Sequence, residues 1–456
     1  MGIGVQGVIR MKKLLFIITL IISCAGLFAQ TLTLEQTRTL ALANSRSLAK
    51  YNLAVMSTAL DERSRIFSAL PSLSLGANAS ISLWSAQNSV PVGNPFDTFS
   101  SGVSFSASQK IFEGGKTLIQ KAINEIASES ARKDALAEYF NVIDSADNAY
   151  YAILEAMAVL EAEESSLQTA LVSLSIAEVR HTTGIINQGD YLKAMADKEE
   201  RENSRNQARR NFTLNVMKLK ALIGLSDLSE LRQIDFSGYE ELILRLGNIS
   251  DKEADLLYSE LWKTVVSANP LLAKAGLANQ RAENNLSMAQ RGYSPSLSAS
   301  LTTGLNYLPN NGMEMSGGKL SLNLSIPVDY WVIANNVQKN RIARDSAALD
   351  YLSAEITLET DLQSALINAL ACADSVLSSR RSLDYAEKHF EYIMERYRLS
   401  QSSVSDVGEA SSLLINNRNS HIKAQYGFLR SLSKLRSLGA IDDEEKLVNI
   451  LTGNEW

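Results

Sequence analysis

The sequence predicts an α+β membrane protein made of two internal repeats, each with two thin β-strands and a long α-helical hairpin. Three observations carry this. Four short stretches alternate apolar with small polar residues. Two proline-free stretches hold a three-four apolar rhythm for longer than ordinary helices do. The whole order of elements then occurs twice.

The strands come first because their pattern is the sharpest. From Ser72 to Leu83 every odd position is apolar and every even one small and polar, which gives a strand one apolar face and one wet face. Val103, Phe105 and Ala107 repeat the pattern against Ser104, Ser106 and Ser108; Leu297, Ala299 and Leu301 repeat it against Ser296, Ser298 and Ser300. Leu320, Leu322, Leu324 and Ile326 do so against Ser321, Asn323 and Ser325. Periodicity alone leaves two readings open. One is a soluble antiparallel sheet with one solvated face. The other is a membrane barrel with strands of about 9–11 residues.

Composition narrows the function classes. The chain has 456 residues and a net charge of −6, and nothing in it forms the basic patch that nucleic acid requires. Aromatic residues make up only 7%, which suits long helices and thin strands better than a large packed core. Of the two cysteines, Cys24 falls in the export segment described next, so Cys372 is left as a single thiol. His181, His389 and His421 have no metal-ligand spacing. No metal or cofactor is implied.

Residues 1–30 read as an extension and signal peptide. Met11-Lys12-Lys13 is a charged start, and Leu14 to Ile22 is an apolar run too short for a comfortable membrane span. Cleavage after Ala29 is one reading. A lipobox at Ile21-Ile22-Ser23-Cys24, leaving a lipidated Cys24, is the other. Gly2, Gly4 and Gly7 match a dinucleotide-binding spacing, but no strand precedes them, so the match is set aside.

The first repeat covers 31–224. Thr33 to Leu70 reads as one helix closed by Pro71, and two barrel strands occupy 72–111 around a Pro/Gly/Asn loop. The hairpin follows. Its first limb runs to Thr183 and would be on the order of 100 Å long. Tyr139, Ile143, Ala146, Tyr150, Ile153 and Met157 mark its apolar seam, continued by Leu167, Leu171 and Leu174. A break at Thr183–Gly189 precedes a return limb to Gly224. Residues 225–255 read as a connector with minor structure.

The second repeat covers 256–438, with strands in 296–327, and 439–456 reads as a tail. The short helices of the two repeats run to Asn44 and Asn269, and the strand entry Pro71-Ser72-Leu73-Ser74 returns as Pro295-Ser296-Leu297-Ser298. Arg180–Asp190 aligns without gaps on Arg396–Asp406, and all seven prolines lie outside the hairpins. Duplication settles the strand question in favour of the membrane. Four strands cannot close, and open edges are not tolerated in lipid, so several chains must pool them. Three chains would supply twelve strands and twelve helix positions. Trp84 and Tyr307 at one end, with Phe112, Tyr330 and Trp331 at the other, would suit aromatic belts.

The order of these features resembles the TolC family of outer membrane efflux proteins over nearly the whole mature chain. The paired Pro-Ser-Leu-Ser entries, Gln109-Lys110-Ile111-Phe112-Glu113-Gly114-Gly115 at the strand-to-helix turn, and the paired hairpins carry it. The resemblance implies a homotrimer in the outer membrane and its lipids, with a large periplasmic tunnel. It also implies docking to a periplasmic adaptor and an inner-membrane transporter, in efflux or type I secretion. It places adaptor contacts at Thr183, Gly184 and Ile185 in one tip and at Leu399, Ser400 and Gln401 in the other. It puts entrance acids at Asp406 and Glu409, and links that hold the entrance closed at Asp190 and Tyr397. The arginine expected four residues before Asp406 is Ser402 here. Without the resemblance, Asp406 and Glu409 read as solvated helix-surface acids.

Two other classes stay in view: a periplasmic coiled-coil scaffold or adaptor without a pore, which leaves the strands unexplained, and an enzyme. For an enzyme the sequence offers no nucleophile-base pair, metal-binding His pair or phosphate loop.

Overall fold

The computed structural model describes residues 31–68, 70–81, 99–227, 230–308 and 312–453. The export segment with Cys24, the Trp84 loop and the extreme C-terminus lie outside them. In chain order the elements are α1 (Leu34–Asn44), α2 (Arg46–Ser68), β1 (Ser72–Ser80), β2 (Ser100–Phe112), α3 (Lys116–Thr182) and α4 (Gln188–Ile223). They continue with α5 (Glu240–Leu246), α6 (Asp251–Ala268), α7 (Pro270–Gln290), β3 (Ser296–Leu308), β4 (Gly312–Ser325), α8 (Tyr330–Arg398), α9 (Val404–Gly439) and α10 (Glu444–Thr452). Among the described residues no helix is long and apolar enough to cross a membrane.

The four strands form one antiparallel sheet in the order β1-β2-β3-β4. Directly paired residues share a face, so the register tests the alternation seen in sequence. Leu73, Ala107, Leu301 and Leu320 form one row across all four strands, and Ala77, Val103, Leu305 and Met315 form another. The opposite face carries the row Ser72, Ser108, Ser300 and Ser321. Ser74 and Ser106 share a hydrogen bond of 2.6 Å there. One face is therefore apolar from edge to edge and the other polar. Among the described residues both edge strands keep one side without a partner strand.

The helices repeat this lateral order. α2 and α4 both pack along α3; α3 packs in turn against α7 and α9, and these against α8. The wall thus reads α4/α2, α3, α9/α7, α8, which places the helix joined to each strand in the same sequence as the sheet. Helix α4 stops where α1 ends: the Asn44 side-chain amide donates to the Leu222 carbonyl at 3.0 Å. A Cβ on Gly224 would lie 2.7 Å from the Asn44 side-chain oxygen, so glycine lets the two ends meet. Asn269 makes the equivalent splice in the second repeat. Its amide donates to the Leu438 carbonyl at 3.0 Å, while its oxygen caps α7 by accepting from the Leu271 and Leu272 N–H groups.

Three expectations change. The helix expected over Thr33–Leu70 divides at Ser45, because Asn44 is needed for the splice and the Ser45 hydroxyl accepts from the Leu48 N–H at the start of α2. The buried seam in the outer part of α3 is made of Ala162, Ser166, Ala170, Ser173 and Ala177 rather than Leu167 and Leu171, while Leu174 packs half-buried beside it. The connector and the tail are structured: Leu242, Ile243 and Leu246 of α5 and Leu447, Ile450 and Leu451 of α10 join one core with α6, α8 and α9.

This core and α1 form a belt around the middle of the hairpins. The belt is tied by Asp147 of α3, which is buried and receives Arg38 at 2.6 Å, Arg436 at 2.7 Å and the Ser433 hydroxyl at 3.0 Å. Glu444 of α10 adds a second acceptor, 3.2 Å from Arg38 and 2.7 Å from the Tyr239 hydroxyl.

Candidate functional site

Every candidate residue within the described range lies at the end of the hairpins farthest from the sheet. Both turns have one backbone design. Gly184 closes the first with φ +74°, and its N–H donates to the His181 carbonyl at 3.0 Å. Ser400 closes the second with φ 62°, and its N–H donates to Tyr397 at 3.0 Å. A left-handed backbone favours glycine, so Ser400 holds a conformation that costs a Cβ-bearing residue about 1–2 kcal/mol. The return helices start alike as well. The Asn187 side chain accepts from the Asp190 N–H at 2.9 Å, and the Ser403 hydroxyl accepts from the Asp406 N–H at 3.1 Å.

Asp406 completes a capping box by accepting the Ser403 N–H at 2.9 Å. That backbone bond, reinforced by the Ser403 hydroxyl, holds the Asp406 carboxyl below its ordinary range and keeps it anionic. Glu409 is exposed one turn further on, 3.4 Å from the Ser405 hydroxyl, which also receives the Lys193 ammonium at 2.7 Å. Lys193, Asp197, Glu200, Ser405, Glu409 and Asn416 line a groove of about 550 Å³ between α4 and α9. At the turns themselves Thr183, Gly184, Ser400 and Gln401 are exposed, and so are the apolar Ile185 and Leu399, at 62% and 60%.

Behind the turns the two repeats meet. Ala177, Ala194, Met394, Tyr397, Val404 and Val407 bury one small core. Tyr397 is fully buried, and that burial pushes its phenol above the ordinary range; Arg180 opposes the shift and the Asp190 charge adds to it. The sequence expectation places entrance links at Asp190 and at Tyr397. The Tyr397 hydroxyl donates to the Ser173 carbonyl at 3.4 Å, and the Asp190 charge acts on Tyr397 through its field. The close partner is Arg180, a residue that sequence reasoning used only as an alignment mark. Its guanidinium lies 4.3 Å from the Tyr397 ring centroid and donates to the Tyr397 carbonyl. Its alignment with Arg396 was the available signal, but the contact joins two repeats and no spacing announces it.

Among the described residues no cluster of His, Cys, Asp and Glu could hold a metal ion. What distinguishes the molecule is its doubled wall, and that doubling is also what comparison detects. The profile of a family described as outer membrane efflux protein matches residues 37–225 and 261–440, one stretch in each half. The chain belongs to this outer membrane efflux protein family. It is 23% identical over 401 residues to outer membrane protein TolC of Escherichia coli (strain K12), covering 83% of this chain and 76% of that protein. Among solved structures, CusC matches with a TM-score of 0.74 and 15% identity, covering 89% of this chain and 91% of that one. The Campylobacter jejuni CmeC outer membrane channel matches with a TM-score of 0.72 and 18% identity, covering 92% and 89%. At these identities the structural likeness speaks for the fold. Like its family, this efflux protein is a channel-forming protein of the outer membrane rather than an enzyme, with a large periplasmic portion.

Proposed function

We propose that three copies of this efflux protein close one channel-tunnel. A periplasmic adaptor and an inner-membrane transporter would feed it solutes for efflux or type I secretion. The observation that carries the reading is the shared lateral order of strands and helices, open at both sides. A four-stranded sheet with one apolar face has to be completed before it can sit in lipid, and copies of itself supply matching edges. The outer helices ask for the same completion. Ile342, Leu349 and Ile356 on α8 are exposed at seven-residue intervals, and Leu53, Met56 and Leu60 on α2 form an exposed apolar stripe at the other side.

The exposed Ile185 and Leu399, with Thr183, Gly184, Ser400 and Gln401 around them, would be the adaptor's contact. The acids Asp406 and Glu409, repeated by threefold symmetry, would favour cations at the mouth. The test is the detergent-corrected mass of the protein extracted from outer membranes. A mass of three chains is expected. A monomer released without detergent would reject the pooled barrel and favour a pore-free scaffold.

A further inference from the structure

We propose that Arg180 is the latch of the closed entrance, holding the α8 end of the second hairpin against α3 through the ring and backbone of Tyr397. This rests on the channel reading above and names a positioning residue for it.

The local chemistry is unusual. Arg180 is only 7% exposed, yet among the described residues no carboxylate lies within ion-pair distance of its guanidinium. A buried guanidinium is costly unless its charge and its donors are met. Here the Tyr397 π-face meets the charge and the Tyr397 carbonyl accepts a hydrogen bond. That carbonyl belongs to the last turn of α8, where the helix dipole also favours a cation.

The repeat supplies an internal control. Arg396 aligns with Arg180 but stays within its own hairpin. It donates to the Gln401 carbonyl at 3.0 Å and lies 5.7 Å from the Tyr392 ring centroid. One arginine of the pair staples its own turn; the other spans two repeats. The spanning contact is also local in space. Along the wall α9 separates α3 from α8, so the direct grip of α3 on α8 by Arg180 exists at the tip. Moving the α8/α9 hairpin away from α3 must release it. Ser402, which stands where the family pattern expects an arginine, leaves this position without a cation of its own.

The experiment is conductance of the purified full-length protein in planar bilayers, with helical content and detergent-corrected mass as controls for folding. Arg180→Met is expected to raise conductance several-fold over wild type. Arg396→Met is expected to match wild type, because the contact it breaks stays within its own turn. Should Arg180→Met fail to fold, Arg180→Lys reads the same contact, since it keeps the charge but loses the planar fork; partial opening is expected. Wild-type conductance in a folded Arg180 variant would overturn the latch. So would opening by Arg396→Met equal to that of Arg180→Met, because the contact between the repeats would then not be the holding one. Absence of any pore, wild type included, would instead overturn the channel reading beneath it.

Discussion

In the belt, one carboxylate gathers two arginines and a serine from two other helices, and the residues that satisfy it all belong to the same chain. In the sheet, Leu75, Leu320 and Met315 stand 74%, 72% and 79% exposed on one apolar face, and two edges carry unmatched backbone groups. One region closes on itself and the other waits for a different solvent and for more chains. The difference separates what the chain does alone from what it does in company. Belt substitutions should weaken the protein wherever it is measured, and sheet substitutions should weaken it only where lipid is present.

The sharpest break comes at Asp147. Asp147→Ala leaves Arg38 and Arg436 buried without their shared acceptor, and removing one partner from such a cluster costs about 3–5 kcal/mol. Urea unfolding followed by helical circular dichroism should show this loss in detergent and in vesicles alike; a loss confined to vesicles would erase the contrast. Next comes Leu320→Arg, nearer the middle of β4 on the apolar face. A charge facing the middle of the bilayer costs about 2–4 kcal/mol. Folding titrations into vesicles should show that penalty, while Ser321→Arg on the opposite face should show much less. Equal penalties would mean that the apolar face does not meet lipid. The smallest effect is a belt splice. Asn269→Ala removes the cap of α7 and the bond to Leu438, for about 1–2 kcal/mol. Asn44→Ala should cost less in the same thermal melts, because Ser45 still caps α2. Equal losses would show that the second repeat has not merged two duties in one residue.

The same contrast explains what the sequence revealed. Strand faces and hairpin limbs were legible because their partners follow a period: Leu73 and Leu75, or Leu320 and Leu322, declare a face without knowledge of any neighbour. The belt was not legible. Glu444 meets Arg38 from 406 positions away, and α10 shows its purpose only when that distance closes. The short α5 has seven residues, too few for a period to stand out, although Leu242, Ile243 and Leu246 are all buried. The turns could be placed from Gly184 and from the repeat. The Arg180 contact could not, because its acceptor is a backbone carbonyl that carries no side-chain signature. Asp406 was seen as a charge, whereas its carboxylate is already occupied at the start of its own helix.

The Asn44 and Asn269 splices also have a mechanical meaning. In each half the wall holds one unbroken helix beside two shorter ones set end to end. Bending the unbroken α3 or α8 would break several ladder hydrogen bonds at once. Flexing a splice strains only the one or two bonds of an asparagine, each worth about 1 kcal/mol. The long limbs are therefore struts that join tips to strands directly, and the jointed pairs are elbows that give at the belt.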